Sequence, residues 1–478
     1  MNVLAIDQGT SATKALLVGP DGEVLGRGEV PVATRSAGAD GVEADPEEMF
    51  GSVVAAGAQA LAAAGAPAHA VALANQGETV LAWDRATGTP LSPAIVWQDR
   101  RAAVVCERLA DRASELSAIT GLPLDPYFAA PKMTWLRENL TAGGVVTTTD
   151  TWLLGRLGAD YVTDAATASR TMLLDLAAVG WSEAACRVFG LEAASLPAVA
   201  DCAGFVGETS AFGQPLPIAG IAVDQQAALF AQRCLAAGDA KCTYGTGAFL
   251  LVTVGPRAAR SSAGLSASVA WRLGGVDPRT TYCLDGQVFT AGSAVRWLAD
   301  LGVLAAPDSL DEVGGTVPDS GGVIFVPALA GLGAPYWEPG ARGVFTGLRL
   351  GTERGHLARA VAEGIAASVA VLVSAACADL GRPLASLRVD GGLTRSRLLV
   401  QAQADLLQVP VRLCRTADAT ALGVAALARL GTGDAASAGE AVGPSGAETF
   451  VEPDITADDS AERMAAFRSA LQLTLPGR

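Results

Sequence analysis

The stretch Gly220-Ile221-Ala222-Val223-Asp224-Gln225-Gln226 decides how the rest of this 478-residue chain is read. Apolar residues run into an abrupt Asp-Gln-Gln, and Ala227-Ala228-Leu229-Phe230 then opens a helical pattern. The change of period predicts a strand-to-helix junction with Asp224 at the turn. An aspartate there has two readings. It caps the helix, since Asp is among the preferred N-cap residues, or it presents a carboxylate to a cleft at the strand end. Glycine-and-hydroxyl loops on either side, residues 7–13 and 244–247, favour the second reading. A carboxylate between phosphate-holding loops is what phosphoryl transfer needs to take the proton of an attacking hydroxyl.

Towards the N-terminus, residues 3–7, 15–18 and 24–32 read as strands. A polar loop joins the first two, and Pro20-Asp21-Gly22 makes a hairpin turn before the third. In the first loop Gly9, Thr10, Ser11 and Thr13 offer backbone N–H groups and hydroxyls to a phosphate, and Lys14 adds positive charge. An ordinary polar hairpin has the same composition. Asp7, ending a strand, suits a magnesium ion held partly through water. Asp45 as cap, Pro46 and the acids Glu47 and Glu48 predict a helix to about residue 64, stopped by Gly65-Ala66-Pro67. A short buried strand then delivers Asn75-Gln76-Gly77-Glu78-Thr79 at its C-terminal end, where open α/β sheets bind ligands. Trp97 and Tyr127 read either as core aromatics or as a wall for polyol and sugar carbons.

Residues 102–200 alternate helical stretches with loops and carry few candidate chemical groups. After a boundary at 213–220, strand–loop–strand returns around Tyr244-Gly245-Thr246-Gly247, which predicts two related halves. Residues 387–390 lead into Gly391-Gly392 and a helix to about 407, the layout of a nucleotide cradle. Beyond residue 430 the expectation is a peripheral tail with one helix from Ser460.

The composition, 50% hydrophobic and 17% charged, is that of a folded protein, and the length calls for two domains. A net charge of −15 argues against a nucleic-acid partner and against a basic membrane-binding face. No basic, apolar leader opens the sequence, and the longest apolar-looking helix, 364–378, falls short of the roughly 20 residues that span a bilayer. Eight scattered cysteines without a CxxC pair fit a reducing, cytoplasmic setting. Two histidines, His69 and His356, leave little room for histidine-based catalysis. Neither a Walker A pattern nor protein-kinase loops occur.

The segments LAIDQGTSATKALLV, AIVWQDRR, VTDAATASRTMLLD, GIAVDQQAALFAQ, AKCTYGTGAFLL, GLGAPYWEPGARG and LRVDGGLTRSRLLVQAQADLL carry a family likeness. Together they resemble the FGGY family of carbohydrate kinases over residues 3–431, and within it the members that phosphorylate glycerol. Residues 127–139 nearly fit the family's first signature, with Lys132 and Trp135 in place and Ala129 departing from it. The resemblance implies an α/β architecture of two lobes with the actin-like ATPase (ribonuclease-H-like) fold around a central nucleotide and substrate cleft. It also implies ATP and Mg2+. The expected division is an N-terminal, acceptor-binding lobe over 1–220, a C-terminal, nucleotide-binding lobe over 221–435 and a peripheral tail over 436–478.

By the same resemblance Asp224 is the general base and Asp7 the metal ligand. Thr10, Ser11, Ala12 and Lys14 face the phosphates, and Gly245, Thr246, Gly292, Arg296, Gly392 and Ser396 line the nucleotide site. Lys14, Arg296 and Ser396 depart from the family's usual Arg, Gln and Asn. For the acceptor the implied set is Gly77, Glu78, Trp97, Tyr127, Asp224, Gln225 and Phe249. Gly77 stands in place of an arginine, so space opens for a longer acceptor, or else Arg100 or Arg101 supplies the charge.

The function expected is ATP-dependent phosphorylation of a hydroxyl on a small polyol or sugar, with a homo-oligomer left open. One alternative is a ketose kinase, for example acting on xylulose. From another class come an actin-like assembly protein, a chaperone and a sugar-sensing pseudoenzyme. Glu78, Trp97, Tyr127 and Gln225 argue against an assembly protein or chaperone, and the pair Asp7 and Asp224 against a pseudoenzyme.

Overall fold

The computed structural model describes residues 1–274, 279–414, 418–443 and 449–475. A thirteen-stranded sheet runs through it. Its strands are numbered here in chain order: β1 (Val3–Gln8), β2 (Ala12–Val18), β3 (Val24–Pro31), β4 (Ala70–Asn75), β5 (Ala203–Thr209), β6 (Leu216–Val223), β7 (Ala240–Tyr244), β8 (Ala248–Gly255), β9 (Ser266–Leu273), β10 (Arg279–Val288), β11 (Leu387–Asp390), β12 (Val411–Leu413) and β13 (Thr449–Val451).

The same topology occurs twice. In the first unit β1, β2 and β3 form an antiparallel meander, with β4 and then β6 added in parallel on the far side of β1. In the second, β7, β8 and β10 form the meander, with β11 and β12 added in parallel beyond β7. Each unit's glycine loop joins its first two strands, so the repeat expected from those loops is a repeat of fold. One pairing between β5 and β9, Ala203 with Leu273, joins the units edge to edge. β1 and β4 are covered on both faces, which explains their almost unbroken apolar sequences.

The helix expected after Asp45 runs Pro46–Ala64, and Asp45 accepts the N–H groups of Glu47 and Glu48 at 2.9 and 3.5 Å. It ends at Gly65 in the left-handed region, φ 59°. Elsewhere the structure departs from expectation. The division proposed after residue 220 falls inside β6, which pairs with β4 in the first unit. The helix read as 364–378 is Arg354–Leu380, 27 residues, long and apolar enough to cross a membrane; most of it is instead buried in the second lobe.

The tail is not peripheral. β13 pairs with β12, and the helix Ala457–Gln472 buries Met464, Phe467, Ala470 and Leu471 against Val326, Ala328, Ala367 and Ala370. Its apolar contacts recur at helical spacing, 464, 467 and 470–471, among alanines and acids, a stripe too narrow to stand out in composition. None of the eight cysteines forms a disulfide, and five are buried.

Candidate active site

The parallel strands β4 and β6 end side by side, Asn75 opposite Val223, and the chain beyond both ends borders one cavity of about 320 Å³. From β4 come Gln76, Gly77 and Glu78, and from β6 come Val223, Asp224, Gln225 and Gln226. Thr10 and Ser11 of the first glycine loop, Trp97, Tyr127, and Thr246, Phe249 and Arg296 of the second lobe close it. Eleven residues expected from sequence therefore meet here. Of the others, Asp7, Ala12, Lys14, Gly245, Gly292, Gly392 and Ser396 do not border this cavity.

Asp224 is the first residue of the helix Asp224–Ala231, with Val223 at the cap position, so the capping reading does not hold. Its Oδ1 accepts the Gln225 N–H at 2.7 Å and its Oδ2 the Gln225 Nε2 at 3.3 Å. Burial raises its pKa, against the lowering pull of the Gln225 N–H, Lys241 and Arg170. A carboxylate held above its usual range is a stronger base. Asp7 lies close enough to feel Asp224: burial first, and that like charge second, push it up to about 7. Lys14, opposite Asp7 in the β1–β2 register, pulls the other way.

One hydrogen-bonded chain ties the first glycine loop to the aromatic wall. Trp97 Nε1 donates to Thr10 Oγ1 at 2.9 Å, and Thr10 and Thr79 both donate to Gln76 Oε1. The rings of Trp97 and Tyr127 stand 5.9 Å apart, and those of Trp97 and Phe249 6.0 Å, both edge to face. Phe249 comes from β8, so the apolar wall crosses from one lobe to the other. Lys132 fixes Tyr127 from behind, donating to the carbonyls of Pro126, Tyr127 and Phe128. Burial pushes that lysine down to about 7.

Glu78 sits in the left-handed region at φ 61°, an uncommon conformation for a residue with a side chain. It is held by Arg170, whose Nε donates to Glu78 at 2.6 Å and whose Nη1 pairs with Asp285. Burial raises the Glu78 pKa in spite of that partner. Arg170 comes from the region read as poor in chemistry. Arg100 and Arg101, the expected substitutes for an arginine at 77, are engaged elsewhere: Arg100 with Asp125 at 2.9 Å, Arg101 with Asp99 and Glu43 at 2.7 and 2.8 Å. Neither borders the cavity.

Sequence reasoning also missed Lys241, Asp285 and Gln287. Lys241 Nζ donates to Gln225 Oε1 at 2.6 Å and to Thr243 Oγ1 at 2.9 Å. Burial lowers its pKa, while Asp390 and Asp224 raise it. Each sits inside a strand with other polar residues, and no local motif singles it out.

Part of the expected nucleotide set converges around the second glycine loop. The Gly292 N–H donates to the Gly245 carbonyl at 3.0 Å, and a Cβ at 292 would lie 2.6 Å from that oxygen. Gly391, at φ 94°, lets the diglycine turn close on Tyr244, whose carbonyl a Cβ would meet at 2.3 Å. Ser396 instead caps the helix Arg397–Leu407, accepting the Leu399 N–H at 3.2 Å, and donates to Asp311. Among the described residues no three His, Cys, Asp or Glu side chains converge as a metal site. Magnesium held by one or two carboxylates, phosphates and water requires no such cluster.

Residues 2–231 match the N-terminal domain, and 240–431 the C-terminal domain, of the FGGY family of carbohydrate kinases. The chain is 45% identical to the glycerol kinase of Thermus brockianus over 90% of both chains. It is 43% identical to that of Alkalilimnicola ehrlichii over 98% of this chain and 97% of the relative. The crystal structure of Plasmodium falciparum glycerol kinase with ADP superposes with a TM-score of 0.91, at 29% identity, over 100% and 99% of the two chains. A ligand-bound xylulose kinase of Lactobacillus acidophilus shares the fold, with a TM-score of 0.88 at 22% identity over 99% and 97%. The chain belongs to the FGGY family of carbohydrate kinases. It is an ATP-dependent phosphotransferase whose acceptor is an alcohol group of a small polyol or sugar.

Proposed function

We infer that the enzyme phosphorylates a hydroxyl of a short polyol of the glycerol type, with Asp224 as general base. One observation carries this reading: the Asp224 carboxylate borders the cavity, oriented by Gln225 and made more basic by burial. An acceptor hydroxyl beside Asp224 gives up its proton as its oxygen attacks the γ-phosphorus, and ADP leaves. Trp97, Tyr127 and Phe249 cover the carbon chain, and Glu78 and Gln225 accept or donate to its hydroxyls.

Thr10, Ser11, Ala12 and Lys14 hold the transferring phosphate from the first lobe. Gly245, Thr246, Gly292, Arg296 and Gly392 hold the nucleotide from the second, and Ser396 fixes the start of the helix that follows the diglycine turn. Asp7 fits magnesium, because Asp224 opposes its ionisation and a hard cation relieves that repulsion. The ion would supply charge neutralisation on the phosphates. The ketose reading has less behind it, since the curated relatives are glycerol kinases and xylulose kinases resemble the chain in fold.

The test is acceptor-dependent ADP release with glycerol, erythritol, ribitol and xylulose at saturating Mg2+–ATP. A polyol that drives turnover and is recovered as its phosphate monoester supports the reading. ADP release indifferent to all four acceptors contradicts it.

A further inference from the structure

Asp285 and Gln287 lie two residues apart on β10, so their side chains share a face. The antiparallel register sets Gln287 opposite Phe249 and Asp285 opposite Leu251. All four border the cavity that holds Asp224. Gln287 is 2% exposed, and its Nε2 donates to Asp285. Asp285 in turn accepts from Ser268 at 2.9 Å and pairs with Arg170, which reaches across to Glu78. An ionised carboxylate only accepts, so Asp285 decides which end of the Gln287 amide faces it. The other end, Oε1, is buried without any hydrogen-bond partner.

A buried carbonyl oxygen of this kind is made good by a donor supplied with the ligand. We propose that Gln287 is a specificity-determining residue whose Oε1 accepts a hydrogen bond from an acceptor hydroxyl other than the one Asp224 deprotonates. The inference rests on the acceptor reading above and deepens it. The substrate is a polyhydroxylated chain with a free hydroxyl at that second position, and an analogue lacking it leaves Oε1 unpaired. The line Gln287–Asp285–Arg170–Glu78 then spans the acceptor site from second lobe to first, holding a hydroxyl acceptor at one end and a carboxylate at the other. Loss of the Gln287 bond corresponds to roughly 10- to 100-fold in kcat/KM.

The experiment measures kcat/KM by ADP release for pairs that differ by one hydroxyl. The pairs are glycerol with 1,2-propanediol and with 1,3-propanediol, erythritol with 1,2,4-butanetriol, and xylulose with 1-deoxyxylulose. The natural protein is expected to prefer the full acceptor over a deoxy partner by at least about tenfold in one pair. Gln287→Leu is expected to abolish that preference by slowing the full acceptor alone, with the KM for ATP and the Tm near their natural values. Gln287→Met, of similar length and without the acceptor oxygen, is the second variant should the leucine fail to fold.

A natural protein that discriminates in no pair overturns the proposal without needing any variant. So does a folded variant that keeps the full preference, which would assign Oε1 to a trapped water. Both outcomes leave the kinase reading standing. Turnover with none of the full acceptors overturns the acceptor class and the role of Gln287 together.

Discussion

Lys241 donates to Gln225 across 2.6 Å, and the same amide turns its Nε2 towards Asp224 at 3.3 Å. Lysine donates only, so its bond fixes Gln225 with oxygen towards Lys241 and nitrogen towards the base. Asp224, the proposed base, is thus aimed by a residue on a strand of the other lobe, β7. Lys241 is a positioning residue in this arrangement, buried, with the charges of Asp390 and Asp224 opposing the downward pull of burial on its pKa.

Lys241→Met removes that bond and leaves the Gln225 amide free to turn. A hydrogen bond to a charged group is worth about 1.5–3 kcal/mol, so kcat is expected to fall roughly 10- to 100-fold. In a Gln225→Leu background the same change is expected to cost little more, because the relay is already broken. Steady-state kinetics on the four proteins measure this directly. Independent, additive losses would contradict the relay.

Gly77 has no side chain on the cavity wall, and its φ lies outside the left-handed region that demands glycine. Gly77→Arg would place its Cβ 2.9 Å from Val223 Cγ2, so the valine side chain must shift to admit it. The new guanidinium fills space beside Glu78 and donates to short acceptors. The ratio of kcat/KM for glycerol over ribitol is expected to rise at least about tenfold, from charged hydrogen bonds worth ~1.5–3 kcal/mol each. A folded variant with an unchanged ratio contradicts this use of the space.

Much of this site was legible because its residues sit where sequence punctuation is strong. Asp224 lies at a change of period, the two glycine loops are marked by glycine and hydroxyls, and Glu78 follows a short apolar strand. Arg170 and Gln287 carry no such mark. One lies among alanines and threonines, the other within a ten-residue strand, and only the β8–β10 register and the packing of the helix Ala165–Ser169 on β9 bring them to the cavity. The terminal helix was misjudged for a related reason: its core contacts are spread along a mostly small and acidic sequence. Long-range register, not local propensity, supplied what was missing.

Asp164 caps the helix Ala165–Ser169, accepting the N–H groups of Ala166 and Thr167 at 2.8 and 2.9 Å. Burial first, and the charge of Asp150 second, push its pKa up to about 7. Between its ordinary value of 3.8 and about 7, the unfolded chain has released this proton while the folded chain retains it. Stability attributable to Asp164 therefore falls as pH rises through that window. Asp164→Asn keeps an acceptor for the cap and removes the titration. Its Tm is expected to exceed that of the natural protein by an amount that is small near pH 4, grows towards pH 7 and then levels off. A difference independent of pH, followed by calorimetry across that range, would show that burial does not hold this carboxyl protonated.

If Asp224 takes the acceptor proton, Asp224→Asn isolates that step. Asparagine preserves shape and can still accept the Gln225 N–H, so folding and ATP binding are expected to stay close to natural. Single-turnover phosphoryl transfer to the best polyol acceptor, with enzyme and Mg2+–ATP in excess, reads the chemical step without product release. A loss of about 10²–10⁴-fold in that rate is expected. A transfer rate within a few-fold of the natural protein would contradict it and leave Asp224 as a structural residue at the helix start.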